Sequence, residues 1–332
     1  MNTITQHAVV DQSRRTGISG FGASIAALLF SLGMVSIPWE EVAGRQFEDK
    51  EVYLERFLEL ESVIDEKEIT SHVDFFLNEA LWDVLVRQAT HTFDMSVLAV
   101  LAVVSFLCLF SFARFLVKRH GMVSLLFLFN PLVIDFAFSQ LRLALAMAIT
   151  MPLFEAKNKK WAIIPVIVAC YIHTATILFA GMYLAGWFIA RHMAQKRMSP
   201  AVIGGVLIGI GFTVALCIGP LRDAILSAIG DRRAEYEMRP ATLLYASFWV
   251  LLMIVIPLQK LSFYDIDAHI LAVAALATFA ASTAFGINGV RFIAATYPFI
   301  ASAIFCLNRT VRPAMIFAFI GYMAVQWYFW LQ

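Results

Sequence analysis

The stretch WAIIPVIVACYIHTATILFAGMYLAGWFIA (residues 161–190) decides the fold. It contains no Asp, Glu, Lys or Arg, and it is flanked by Lys159 and Lys160 before it and by Arg191 and His192 after it. Roughly 20 apolar residues are enough to cross a bilayer as a helix. Cations beside such a segment mark the cytoplasmic side. Both flanks are cationic, so both ends belong inside and the stretch must double back. The charge count therefore predicts two short helical segments with an outer turn near His173, although no local breaker stands there.

The same logic extends outward in both directions. The chain is 61% apolar and 15% charged, with a mean hydropathy of +0.77. A soluble domain carries about 25% charged residues. Apolar runs near membrane-spanning length recur along the chain, which predicts an all-α polytopic integral membrane protein. Residues 1–332 read as a single transmembrane domain. Cys108, Cys170, Cys217 and Cys306 all fall inside apolar segments and form no CxxC pair, so they read as small core residues. The first run lacks a cleavage site of small residues and reads as retained.

Arg14 and Arg15 precede the run 18–38 and place the N-terminus in the cytoplasm. Residues 39–92 hold 14 Asp/Glu against five Lys/Arg and read as an extracytoplasmic loop. Within it, Tyr53, Phe57 and Leu58, then Phe75, Phe76, Leu81, Trp82 and Leu85, recur at helical spacing and predict two short amphipathic helices. Run 94–117 ends inward at Lys118-Arg119-His120. Run 121–138, interrupted at Asn130-Pro131, turns at Ser139-Gln140, and 141–154 returns to Lys157, Lys159 and Lys160. Runs 201–219, 242–258, 268–286, 292–307 and 313–331 follow, with residues 220–241 as a second outer loop. The total is about eleven spans with the C-terminus outside. No internal repeat is evident, which weighs against a repeat-built transporter.

This topology divides the cations. Arg14, Arg15, Lys118, Arg119, Lys157, Lys159, Lys160, Arg191, Lys196, Arg197, Lys260, Arg309 and Arg312 lie inside and serve orientation. Arg142, His173, Arg222, Arg232, Arg233, Arg239 and Arg291 fall on the outer face, where positive charge works against topology and needs another cause. Guanidinium forks bind phosphate oxygens bidentately, and a helix start adds backbone N–H groups for the same anion. A lipid-linked diphosphate is thus the expected ligand. The alternative is that Arg142 pairs with Asp135, and Arg232 and Arg233 with Asp231, Glu235 or Glu237.

His173 is a candidate general base or phosphate donor, or a hydrogen-bonded packing residue. Asp135, embedded in an apolar run, is either a second candidate base or an arginine partner. Tyr236 lies among the loop arginines. Tyr297, followed by Pro298, is a candidate ring for substrate, with packing as the competing role. Asp265 and Asp267 with His269 nearby could hold a metal, but read as a solvated loop, and no metal or other cofactor is expected. No nucleotide-binding or hydrolase motif is present. The net charge of +1 is segregated by loop, and no nucleic-acid partner is expected.

Several of these pieces occur in the order seen in one family. They are Phe-Glu-Asp-Lys-Glu-Val-Tyr-Leu-Glu-Arg-Phe (47–57), Asn-Glu-Ala-Leu-Trp (78–82), Phe-Asn-Pro (129–131) and Gln-Leu-Arg-Leu-Ala-Leu-Ala (140–146). Tyr-Ile-His-Thr-Ala (171–175) and Tyr-Glu-Met-Arg (236–239) follow. Over about residues 40–300 the chain resembles the EpsG/Wzy-type polymerases of bacterial surface polysaccharides. One departure is that Gln140 precedes Arg142, whereas the family's glutamine follows its arginine.

The resemblance implies a GT-C-like integral-membrane glycosyltransferase of the bacterial inner membrane with an extracytoplasmic active site. Such an enzyme moves a glycan from polyprenyl diphosphate onto a lipid-linked repeat unit. Set beside the outer cations read above, such an enzyme would use His173 or Asp135 as base with Arg142 and Arg291 as catalytic cations, and Arg232, Arg233, Arg239, Tyr236, Gln140 and Tyr297 as contacts to diphosphate or glycan. Lipid-linked oligosaccharides, membrane lipids and a chain-length regulator are the implied partners. The competing classes are an O-antigen ligase or other membrane transferase, and a lipid-oligosaccharide flippase or transporter.

Overall fold

The computed structural model describes residues 18–63, 72–154, 163–196, 198–222, 224, 241–259 and 266–332. Every regular element among them is helical. The chain divides into two compact units, one of residues 1–177 with 323–332 and the other of residues 178–322.

In the first unit the helices are α1 (Gly20–Ser36), α2 (Trp39–Ala43), α3 (Glu48–Val63), α4 (His72–Leu77), α5 (Ala80–Phe93) and α6 (Val97–His120). Then come α7 (Pro131–Phe138), α8 (Leu141–Thr150) and α9 (Ile163–Ile172). Their starts have local causes. Ser19 and Ser96 accept from backbone N–H groups three residues on, capping α1 and α6. Asn130 caps α7, with Pro131 supplying a preset φ in the first turn. Gly121, at φ +84°, ends α6 just after Lys118-Arg119-His120, a conformation that side chains rarely adopt.

α6 is the axis of this unit, with α1 and α8 against it. One apolar cluster joins the loop helices to it: Tyr53 and Phe57 of α3 and Trp82 and Val86 of α5 pack with Val100, Leu101 and Val104 of α6. Leu141 and Leu145 of α8 and Ala169 and Ile172 of α9 complete the cluster. The acidic segment 39–92 thus carries α2, α3, α4 and α5 where two helices are expected, because its aromatic residues have a core to bury in. α7 and α8 meet at a bend of 100°, at the predicted Ser139-Gln140 turn. The stretch 161–190 breaks at His173-Thr174-Ala175, where charge counting puts its turn.

α10 (Thr176–Gln195) and α15 (Arg312–Trp330) contribute to both units. The second unit also contains α11 (Pro200–Ile218), α12 (Leu243–Val255), α13 (Ile266–Ala284) and α14 (Val290–Phe305). α13 is almost wholly buried, with α11, α12 and α14 packed around it. Its contact with α11 depends on Gly211, where a Cβ would collide with the carbonyl oxygen of Ala274. Thr278 Oγ1 donates across the same contact to the Gly211 carbonyl at 3.1 Å. The first turn of α13 corrects the solvated-loop reading: Asp267 and His269 are buried, and Asp267 Oδ1 accepts from Tyr183 Oη at 2.8 Å. Asp265 lies outside the described residues.

α6, α11 and α13 are long and apolar enough to cross a membrane, and the bent α7–α8 pair makes a fourth if it is one span. α1, α9, α14 and the segment Leu243–Leu258 are shorter apolar helices.

Candidate functional site

Two segments of the first unit, α8 and the His173-Thr174 turn, converge on one carboxylate. Glu79 stands between α4 and α5 at φ 55° and ψ 36°, a left-handed conformation that costs a non-glycine residue about 1–2 kcal/mol. Backbone hydrogen bonds from Glu79 N to Phe76 O and from Trp82 N to Glu79 O hold it there. The conformation takes the side chain out of solvent, and only 4% of it is exposed.

A buried carboxylate costs several kcal/mol unless its oxygens are satisfied, and these are. Arg142 Nη1 donates to Oε2 at 2.6 Å. Thr174 donates to Oε1 twice, from its backbone N at 2.9 Å and from Oγ1 at 2.8 Å. His173 Nδ1 stands 2.8 Å from the same oxygen, within ion-pair range but without the alignment of a full hydrogen bond. Burial alone would push the Glu79 carboxyl up. The contacts from His173, Arg142 and Thr174 outweigh it and hold the group well below the usual carboxylate range. Glu79 is therefore a fixed anion and cannot itself take a proton near neutral pH.

Arg142, the second residue of α8, is held from a second side by α3. Its Nε donates to Tyr53 Oη at 3.0 Å, and its guanidinium lies 5.5 Å from the centre of the Tyr53 ring. Burial raises the Tyr53 phenol, with Arg142 opposing it, so the phenol stays neutral and accepts. Tyr53 is seated against Trp82, ring centres 5.6 Å apart. The guanidinium is thereby fixed in direction, with Nη2 unengaged among the described residues and 28% of the side chain exposed. His173 likewise keeps Nε2 without a partner among the described residues.

Of the predicted site residues, the structure brings Arg142 and His173 together. Arg142's partners are Glu79 and Tyr53, not Asp135, which corrects the expected alternative pairing. Asp135 is half-buried on α7. Gln140 precedes the first turn of α8, with its Oε1 buried and unpaired among the described residues. In the second unit Arg291 is exposed on the first turn of α14, whereas Tyr297 is fully buried with its ring against Phe319. Arg222 is half-buried. Arg232, Arg233, Tyr236 and Arg239 lie outside the described residues. The outer cations are thus not shown as one cluster; what is shown is a Tyr–Arg–Glu–His constellation.

Glu79 and the role of Tyr53 were missed by reading the sequence for cations. The available signal was that Glu79 is the one charged residue in Phe75-Phe76-Leu77-Asn78-Glu79-Ala80-Leu81-Trp82, where an isolated carboxylate needs a partner.

A cavity of about 270 Å³ lies in the same unit, lined by Lys50, Glu40, Leu98, Leu101 and Phe138 among others. Lys50 and Glu40, both in its lining, are paired at 2.6 Å. Lys50 lies one helical turn before Tyr53 on α3, so the two share a face. Among the described residues no cluster of three or more His, Cys, Asp or Glu side chains could hold a metal.

No family model, no curated protein and no solved structure matches the chain.

Proposed function

We propose that the protein is a membrane glycosyltransferase that polymerises lipid-linked glycans, with about eleven spans and its site on the extracytoplasmic face of a bacterial inner membrane. The observation that carries this reading is the constellation itself. A guanidinium with an open edge and an imidazole with an open nitrogen are fixed to the two oxygens of one buried carboxylate.

The chemistry runs as a displacement. An acceptor sugar hydroxyl gives its proton to His173 Nε2 while its oxygen bonds to the donor's anomeric carbon. The bond from that carbon to the diphosphate oxygen breaks, and polyprenyl diphosphate leaves with the electron pair. Arg142 Nη2 faces the developing phosphate charge; preorganised donors of this kind supply much of the catalysis in such sites. Arg291 and the loop arginines Arg232, Arg233 and Arg239 are proposed as further phosphate contacts.

The test is to incubate purified full-length protein with a polyprenyl-diphosphate oligosaccharide and resolve the products by length. A ladder of multiples is expected. A ladder left intact by both Arg142→Ala and Arg291→Ala would end the assignment of the arginines.

One observation favours a second reading, in which the constellation is a structural lock. Glu79 already neutralises Arg142, and an apolar replacement of a buried ion pair is often neutral or stabilising. The double variant Glu79→Leu/Arg142→Met separates the two readings: folding with activity retained supports the lock, and folding with activity lost supports the enzyme.

A further inference from the structure

We infer that Glu79 is a positioning residue that fixes which nitrogen of His173 carries the proton, leaving Nε2 as the proton acceptor for a substrate hydroxyl. The inference deepens the proposed function and rests on it for the catalytic part.

The argument is geometric. Oε1 of a carboxylate is an acceptor with no proton to give, and His173 Nδ1 stands 2.8 Å from it. Although the contact is off the ideal hydrogen-bond line, a carboxylate oxygen 2.8 Å away repels a lone pair on Nδ1 and attracts an N–H there, so the charge favours the hydrogen on Nδ1. In a neutral imidazole the other nitrogen then holds the lone pair. Thr174, the next residue, fixes the same oxygen from two sides, with its N–H at 2.9 Å and its hydroxyl at 2.8 Å. The carboxylate therefore cannot rotate away from the ring without losing both.

Glu79 itself is closed to a substrate, since it is buried and both oxygens are engaged. It acts on the reaction only through His173 and Arg142. Among the described residues, the other charged or titratable groups around the pair include Tyr53, Asp49 and Arg56 from α3, Asp83 from α5 and Arg142 from α8. Arg56 and Asp83 are paired with each other, and Tyr53 is a neutral acceptor for Arg142. Among these described groups Glu79 alone presents an acceptor to Nδ1.

An amide at position 79 breaks this arrangement in a defined way. Arg142 needs an acceptor on one side of the group, and Thr174 and His173 need one on the other. Glutamine has a single oxygen. The charged guanidinium claims it, which turns the NH₂ toward Nδ1 and moves the imidazole proton to Nε2.

The experiment uses full-length protein with ¹⁵N-labelled histidine in lipid nanodiscs, with His173→Gln to assign the signal, and needs no substrate. Wild type is expected to show the Nδ1–H tautomer, Glu79→Gln the Nε2–H tautomer, and Glu79→Asp a return toward wild type. An Nε2–H tautomer in wild type, or a tautomer that ignores Glu79→Gln, overturns the inference. Should Glu79→Gln fail to fold, wild type and Glu79→Asp still decide it.

Glycan polymerisation is then measured on the same samples. Glu79→Gln is expected to lose at least about 100-fold, the ordinary size of a lost general base, while KM for the lipid-linked donor changes less than kcat. A reversed tautomer with undiminished turnover overturns the positioning role. If wild type makes no polymer, the functional reading fails while the tautomer result stands.

Discussion

Replacing Glu79 with Ala and, separately, with Gly tests the site's energetics with an internal control. The carboxylate is 4% exposed and Arg142 is 28% exposed. Removing one partner of a buried pair costs about 3–5 kcal/mol, and water that reaches the Arg142 side chain puts the loss near the lower bound. The Thr174 N–H and hydroxyl lose their acceptor in the same step, at about 1–3 kcal/mol for a buried donor left unmade. Glu79→Ala should thus cost at least about 4 kcal/mol.

Glycine loses the same contacts but removes the Cβ at φ 55°, which returns about 1 kcal/mol at a left-handed position. Glu79→Gly should therefore be the more stable of the two. The assay is reversible unfolding of purified protein in mixed micelles of detergent and dodecyl sulfate, followed by tryptophan emission; Trp82 lies in the cluster that packs behind the site. A Glu79→Ala protein within about 0.5 kcal/mol of wild type would refute the buried-pair argument. A Gly variant less stable than the Ala variant would refute the strain argument alone.

Further outcomes follow from the same geometry. Gly211→Leu should prevent stable folding because no side chain fits between α11 and the Ala274 carbonyl, whereas Gly209→Ala, with open space around it, should fold normally; yield after size-exclusion chromatography reports both. Because the Glu79 carboxyl is held below its ordinary value, its stabilisation is fully present above about pH 4.3, the usual glutamate value, and falls away as pH drops toward the folded-state value. Melting curves between pH 6 and 3 should thus show a wild-type loss that Glu79→Gln lacks; parallel curves would remove Glu79 as the cause. Arg142→Lys keeps the charge but not the fork, and should lose most polymerisation while still inserting in membranes; full activity would show that charge alone suffices. His173→Ala should lose at least about 100-fold in turnover, and a loss of only a few-fold would make it a packing residue.

Much of the architecture was legible because its causes are local. Apolar runs placed the long helices within a few residues, since a contiguous segment's own composition decides whether it can be buried as a helix. Ser96, Asn130-Pro131 and Gly121 mark helix ends through bonds to residues a few positions away. The helix break at His173-Thr174-Ala175 lies where the cations at both ends of 161–190 led to the expectation of an interruption.

The sequence alone thus determined that this is a helical chain with segments apolar enough to cross a membrane, where most of its long helices start and stop, and that Arg142 and His173 are unusual. Tertiary structure decided what those two residues meet. Glu79 is separated from Arg142 by 63 residues and from Thr174 by 95, and the segments that bear them are joined through an apolar cluster, not through any polar pattern. A side chain's partner across such a distance is set by which faces bury together. Asp135, nearer to Arg142 in sequence, was the wrong carboxylate. Likewise Asp267 and His269 resembled a solvated loop until α13 was seen to be enclosed by its neighbours.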